Sequence, residues 1–248
     1  MKFIKTGITA SAKKYFFRAL FFCAAVIICG NAAAQRRQVQ NMPKYDHQRV
    51  HFGFALGFNL PDFRVTPVSD FRGIDSVYDV QSESQLGFLL GIIGNLRLGE
   101  FFDLRFVPIL TFAQRNLNYS LNYNGNPLTP STKKVESSFL EFPLMVKYKS
   151  ERVNNYRYYV IGGGKYSIDL VSQSKVEQSD KQPVRLKPFD YGYEIGCGFD
   201  FYLTYFKFAM EIKMYQGINN VLVKDQYVYS TSLESLNSQI FYISFLFE

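Results

Sequence analysis

The sequence contains no tryptophan and only two histidines and three cysteines among its 248 residues. A hydroxyl nucleophile normally needs a neighbouring base that a third group orients, and His47 and His51 are the only histidines available for that role. Their i,i+4 spacing would suit a metal site on a helix, but this stretch leads into a predicted strand. We therefore expect no catalytic centre, no metal site and no cofactor.

The N-terminal stretch has the features of a cleaved signal peptide. Five basic residues precede or border an apolar run over residues 19–29, and Ala32, Ala33 and Ala34 offer a small-residue cleavage site. The run is shorter than the roughly 20 residues that a membrane-spanning helix requires. We predict a signal peptide over residues 1–34, a short periplasmic segment over 35–48 and one β-domain over 49–248.

Removing this stretch changes the charge and the cysteine count of the chain. The 28 Lys and Arg residues face 21 acids, but five of the basic residues and none of the acids lie in the first 34 positions. The remaining 23 basic residues give a net charge of +2, so the basic footprint of a nucleic-acid-binding domain is missing and no such partner is expected. Only Cys197 remains, which excludes an intramolecular disulfide framework.

Apolar residues alternate with small or polar ones in the remaining sequence, which is rich in Phe and Tyr. Between residues 50 and 60, for example, Phe52, Phe54 and Leu56 alternate with Gly53 and Ala55. Such period-two alternation and such aromatic content are typical of β-strands. The alternation predicts about eight strands, over residues 50–60, 85–98, 102–112, 140–149, 157–169, 189–201, 206–214 and 241–247.

The predicted connections alternate in length. Short links fall near residues 99–101, 150–155 and 203–205, and long ones near 61–84, 116–134, 171–188 and 217–238. Short periplasmic turns and long extracellular loops are typical of outer-membrane barrels. The fold class predicted is all-β: an antiparallel transmembrane β-barrel of about eight strands in the outer membrane. A soluble barrel with the Phe-rich face around a ligand cavity remains an alternative.

The polar face of the predicted strands carries charges of both signs. A buried charge is costly unless it is paired, and a barrel of about eight strands has an interior just wide enough for side chains to fill it. We therefore expect the apolar face to meet lipid and the charges to form a salt-bridged plug. The predicted lumen network comprises Asp103, Arg105, Glu141, Lys147, Arg157, Lys165, Asp190, Glu194, Asp200, Lys207, Glu211 and Lys213.

Several uncharged residues have predicted places in the same barrel. A set of tyrosines near strand ends is expected to form an aromatic girdle in contact with outer-membrane lipid and lipopolysaccharide. Cys197 is expected on the lipid face as a small hydrophobe. The glycines at 162–164 are expected to leave space for neighbouring lumen side chains. The predicted girdle comprises Tyr148, Tyr156, Tyr158, Tyr202, Tyr205 and Tyr242.

Three segments resemble those of a known family. Residues 51–63, HFGFALGFNLPDF, resemble the first strand of the PorT family; residues 139–148, FLEFPLMVKY, resemble a motif shared by a wider group of such barrels, and residues 190–203 are similar too. The resemblance covers residues 35–248. It implies an outer-membrane component of the type IX secretion system of Bacteroidota, needed for export and surface attachment of proteins such as secreted proteases. The family has no catalytic residues to transfer.

This resemblance implies other secretion-system components as partners and no small-molecule substrate. Two alternatives remain from the residues themselves. The first is a barrel enzyme that modifies lipid A, such as a deacylase that uses His51. The second is a surface adhesin that works through its long loops, such as the one at residues 116–134.

Overall fold

Ten antiparallel strands are present in the computed structural model, which describes residues 39–67, 77–121, 129–171, 186–224 and 233–248. A short 3-10 helix, Tyr45–His47, precedes them. No helix within these ranges is long and apolar enough to cross a membrane. The predicted signal peptide lies outside the described residues. The strands are β1 Val50–Pro67, β2 Val77–Ser84, β3 Gly87–Arg97, β4 Phe102–Phe106, β5 Ile109–Leu121, β6 Thr129–Lys149, β7 Tyr156–Asp169, β8 Phe189–Tyr202, β9 Lys207–Gly217 and β10 Leu233–Phe247.

The strands close into a ring with eight positions, because β2 and β3 share one position and β4 and β5 share the next. β1 pairs with β10 on one side and with β3 on the other. If paired residues are followed once around the ring from Leu60, they lead back to β1 at Val50, which is a shear of ten residues. This shear tilts the strands by about 40° to the barrel axis. The prediction of about eight strands is confirmed. The path around the ring runs Leu60, Phe241, Met214, Ile195, Gly162, Val146, Leu104, Leu96, Val50.

A bulge separates β2 from β3. Ser84 pairs with Arg115 of β5, and Phe88 pairs with Phe112 of β5. Four residue steps from Ser84 to Phe88 therefore lie opposite three steps in β5, so the chain between β2 and β3 has one extra residue. A bulge reverses which face each following side chain points to. The amide of Asn59 on the neighbouring β1 fills the irregularity, since its Nδ2 donates hydrogen bonds to the carbonyl oxygens of Phe88 (3.1 Å) and Phe112 (3.2 Å).

The strands extend further at the extracellular end than the alternation predicts. β1 continues to Pro67, and β5 and β6 remain paired up to Leu121 and Thr129. Parts of the predicted loops 61–84, 116–134 and 217–238 are therefore strand, and the middle of each long connection lies outside the described residues. Outside the hydrocarbon core the outward face of a strand need not be apolar. The apolar alternation therefore ends before these strands do, and Arg64 and Lys134 are exposed on them. The short links are confirmed, at residues 98–101, 150–155 and 203–206.

The apolar face points outward, as predicted. Phe52 is 73% exposed and Ile92 is 68% exposed, whereas Asn95 and Lys147 on the opposite face are buried. A continuous apolar exterior of this kind is what a barrel in a bilayer presents to lipid. Cys197 lies on the exposed face.

The predicted girdle is only partly right. Tyr148, Tyr156 and Tyr158 lie on the outer face, and Tyr205 in a periplasmic turn is also exposed. Tyr202 and Tyr242 are buried in the lumen, at 2% and 1% exposure, so the prediction for these two is wrong. The reason lies in the alternation: in β10, Phe241 and Ile243 point outward, so the side chain between them must point inward.

Glycines allow close approach between adjacent strands. A Cβ on Gly163 would overlap the backbone carbonyl of Leu144 on β6, whereas a Cβ on Gly164 would lie 4.0 Å from the nearest atom. The glycines at 162–164 are expected to leave space for lumen side chains, but Gly196 and Gly198 do so instead. A Cβ on Gly198 would overlap Tyr159, and a Cβ on Gly196 would overlap Lys213.

We predict that Gly163→Ala lowers the free energy of unfolding by about 1–3 kcal/mol, because the methyl group forces β6 and β7 apart. Gly164→Ala is the matched control, and it should be nearly neutral because its side chain enters open space on the outer face. Urea unfolding in lipid vesicles, followed by far-UV circular dichroism, measures both. Equal effects at the two positions would contradict the close approach of β6 and β7 at Gly163.

Candidate functional site

The lumen contains all twelve of the charged residues that the sequence assigns to it. Each is buried, from Arg105 at 0% exposure to Arg157 at 9%. Eleven of them form ion pairs within 4 Å. Asp190 is the member for which the described residues provide no such pair. The structure thus places the predicted set in one buried interior, where most members are paired with another charge.

A cluster at the periplasmic side of the lumen centres on Arg105. Its guanidinium pairs with Glu211 and with Glu248, the latter at 3.0 Å. Glu248 also accepts from Lys207 at 2.7 Å. Glu248 is absent from the predicted lumen network, although the outward positions of Phe241, Ile243, Phe245 and Phe247 imply that residue 248 points inward.

A second cluster lies nearer the middle of the barrel. Lys165 lies 3.2 Å from Glu141 and 3.6 Å from Glu194, and Glu194 is 2.9 Å from Lys213. Lys213 is also 3.7 Å from Glu211, which joins this cluster to the first. Charges that share partners in this way avoid the cost of an isolated buried ion.

Tyrosines also contribute to the polar interior, a role that the alternation was not used to predict. Tyr159 donates a hydrogen bond to Glu211 at 2.7 Å, and its ring lies 3.5 Å from the ammonium of Lys147. Tyr242 donates to Glu141 at 2.8 Å and accepts from Lys165 at 2.6 Å. A phenol fills lumen volume and also offers a hydrogen-bonding hydroxyl, which suits a narrow charged interior.

Two further pairs stand beside these clusters. Lys147 contacts Asp200 at 2.8 Å, with both side chains buried. Lys149 contacts Asp103 at 2.6 Å, and Asp103 also accepts from the amide of Asn95. Lys149 occupies an inward position of β6 that the alternation already indicates, but it was not included in the predicted network.

The extracellular end of the lumen is closed by apolar side chains. Beneath them lies Arg115, whose guanidinium is 4.2 Å from the ring of Phe63 and 5.1 Å from that of Phe139. Its Nε and Nη2 have no hydrogen-bond acceptor among the described residues. The adjacent cavity measures about 10 Å³, which leaves room for a single water molecule. The apolar cluster comprises Phe63, Leu117, Leu186, Val221, Leu222, Leu233 and Leu236.

The periplasmic end is closed by residues 41–48, which we call the N-terminal strap. The ring of Tyr45 enters the lumen and stacks on His51 with 4.0 Å between ring centroids. Its phenol donates a hydrogen bond to Glu248 at 2.8 Å. Burial and the nearby charge of Glu248 hold the pKa of Tyr45 well above its usual range, so the phenol remains a donor.

The next residue of the strap is held by two arginines. Asp46 lies 2.9 Å from Arg157 and 3.3 Å from Arg152. Burial disfavours the charged carboxylate of Asp46, but the two guanidinium groups outweigh it and hold the pKa of Asp46 below its usual range. The carboxylate therefore stays ionised and paired at neutral pH.

The geometry around His51 differs from that of a catalytic base. Its Nε2 lies 2.9 Å from the backbone carbonyl oxygen of Tyr45, and its Nδ1 has no hydrogen-bond partner among the described residues. The side chain is buried beneath the strap. Throughout the described ranges, no group of three or more His, Cys, Asp or Glu side chains is placed to hold a metal ion.

A closed eight-position ring with an apolar exterior and a charged interior defines an outer-membrane β-barrel protein. Residues 33–223 match the family described as outer membrane protein beta-barrel domain, and the chain belongs to this family. It is located in the outer membrane. No curated protein matches the chain.

Several solved outer-membrane barrels are similar in structure. The outer membrane protein OprG of Pseudomonas aeruginosa is 11% identical, with a TM-score of 0.42 over 80% of this chain and 91% of that chain. Neisserial surface protein A is 12% identical, with a TM-score of 0.40 over 80% and 98%. Ail, the attachment invasion locus protein of Yersinia pestis, is 10% identical, with a TM-score of 0.35 over 81% and 98%.

We predict that Lys147→Met costs about 3–5 kcal/mol of unfolding free energy, because it leaves the buried charge of Asp200 without its partner. The double variant Lys147→Met with Asp200→Leu should recover much of this loss, since neither charge then remains. Urea titration followed by circular dichroism gives the coupling energy. Exposed Lys134→Met is the control and should change stability by less than about 0.5 kcal/mol. Simple additivity of the two lumen substitutions would contradict the pair.

Proposed function

We propose that this protein is a non-enzymatic component of the type IX secretion system, needed for the export of cargo such as secreted proteases to the cell surface. The observation that carries the proposal is the filled lumen. An eight-position barrel with ion pairs through its interior has no room for a polypeptide to pass. A barrel of this kind would contribute to export through its surfaces and its contacts with other secretion components.

The resemblance to the PorT family supports the same proposal. Residues 51–63 form most of β1, and residues 139–148 lie within β6. Both segments contribute to the wall and to the lumen, with Asn59 at the bulge and Glu141 in the central ion-pair cluster. The resemblance thus lies in residues that determine how this barrel is built.

Partners would find two kinds of surface on this barrel. At the extracellular side, β5 and β6 form a hairpin that stays paired to Leu121 and Thr129. At the periplasmic side, the short turns and the N-terminal strap are exposed apart from a few anchoring side chains. The apolar belt between them would contact outer-membrane lipid and lipopolysaccharide.

The lipid A enzyme is the weaker candidate. Its proposed base, His51, faces the lumen beneath Tyr45 rather than the lipid, and its ring is stacked on that tyrosine. A substrate acyl chain in the membrane would have to cross the barrel wall to reach it. Within the described residues, the adhesin alternative would rely on the extracellular hairpin of β5 and β6, which a secretion component would also have.

Deletion of the gene tests the three functions together. We expect the culture medium to lose secreted protease activity, unprocessed precursors to accumulate in the cells, and a plasmid copy of the wild-type gene to restore export. Lipid A measured by mass spectrometry should be the same with and without the gene. Normal protease secretion in the deletion strain would overturn the proposal. A changed lipid A mass would favour the enzyme, and loss of surface binding with normal secretion would favour the adhesin.

A further inference from the structure

The N-terminal strap is attached to the barrel chiefly by side chains. Residues 41–48 lie outside the β-ladder, and Tyr45 is the one buried residue among them. The exposed positions include Pro43, Lys44 and Gln48. The strap therefore lies on the end of a barrel whose own ring is closed without it.

Tyr45 occupies a pocket built from separate parts of the barrel. His51 on β1 stacks on one face of its ring, and Tyr202 on β8 meets it edge-on at 5.7 Å. The ammonium of Lys207 on β9 lies 4.8 Å from the ring centroid, and Glu248 accepts the phenol hydrogen. An aromatic slot with an acceptor at its base selects tyrosine over phenylalanine, because phenylalanine would leave the acceptor without that hydrogen bond.

The neighbouring positions recognise an acidic residue and an amide. Within the described ranges, Asp46 is the one carboxylate within 4 Å of either Arg152 or Arg157. The side chain of Asp46 keeps 26% of its surface exposed, so this part of the site is open to the periplasm. Asn41 donates from its backbone N–H to Asn155 at 2.9 Å and from its amide to the carbonyl of Tyr202 at 3.0 Å.

We propose that the periplasmic mouth is a binding site for a peptide segment that carries a tyrosine followed by an acidic residue. In this structure the chain's own Tyr45 and Asp46 fill the site, so the strap acts as an intramolecular competitor. A partner segment of the same chemistry would bind by displacing it. The inference rests on the contacts of the strap and is independent of the proposed role in secretion.

The test uses the full chain with Tyr45→Ala and Asp46→Ala, which vacates the aromatic slot and the arginine pair, and this variant is called the vacated barrel. A fluorescein-labelled peptide of residues 40–48, QNMPKYDHQ, is titrated against this variant and against the wild type in detergent micelles, with fluorescence anisotropy as the readout. We expect binding to the double variant to be at least about tenfold tighter, because a tethered segment competes at a high effective concentration in the wild type.

Two controls identify the contacts. A peptide with alanine in place of both the tyrosine and the aspartate should lose binding. The substitutions Arg152→Ala and Arg157→Ala, made together in the vacated barrel, should weaken binding of the original peptide and lessen its dependence on salt. Binding of both peptides with equal strength, equal binding to wild type and variant, or no binding to the vacated barrel would each overturn the proposal.

The vacated barrel must be folded for these comparisons to count. A folded barrel of this type migrates differently on gels before and after boiling, and this shift is checked for every variant. If the double variant does not show it, Asp46→Asn alone replaces it, since that change releases the arginines and leaves Tyr45 in place. Because Tyr45 still competes for the aromatic slot in that variant, the labelled peptide should bind it more tightly than the wild type but by a smaller factor than expected for the double variant, and affinity equal to that of the wild type would refute the site.

Discussion

In the hydrocarbon core of a membrane no water can satisfy a free backbone N–H or C=O group, so every strand must be paired on both of its edges. For β1 this means pairing with β10 on one side and with β3 on the other, which forces the sheet into a ring. With eight positions and a shear of ten residues, the ring encloses a space only a few side chains wide. The shape of the interior, and therefore what can be placed in it, follows from that closure.

A narrow interior buries whatever points into it, and in this chain much of that is charged. Buried charges are tolerated when each has partners, and here the partners are shared along a connected series that runs from Lys165 through Glu194, Lys213 and Glu211 to Arg105. Tyr159 and Tyr242 add hydrogen bonds to this series and fill volume beside it, and glycines next to Tyr159 and Lys213 provide the space. The result is an interior that stabilises the ring from within, while the outer face is left entirely to lipid.

Much of this could be predicted from the sequence because period-two alternation encodes the two faces of a strand directly. The twelve lumen charges follow from that rule, and so would Tyr242 and Glu248 if the same parity were followed to the end of β10. Three features could not be predicted in this way. The strands continue past the membrane because pairing does not need an apolar face, the bulge beside Asn59 changes parity without a distinct sequence signal, and Tyr45 enters the lumen from a segment that has no periodicity.

The two ends of the barrel are closed by different chemistry, and this difference indicates which end can change. At the extracellular end, apolar side chains from β1, β5, β10 and the neighbouring connections pack over Arg115, so opening that end would expose an apolar surface and a guanidinium whose Nε and Nη2 have no acceptor among the described residues. At the periplasmic end, the strap is held by the phenol of Tyr45, the carboxylate of Asp46 and the amide of Asn41, and another peptide segment could supply groups of the same kinds. Displacing the strap leaves every backbone hydrogen bond of the ring intact, because the strap is not part of the ladder. The periplasmic mouth is therefore the end at which binding can alter this barrel without unfolding it.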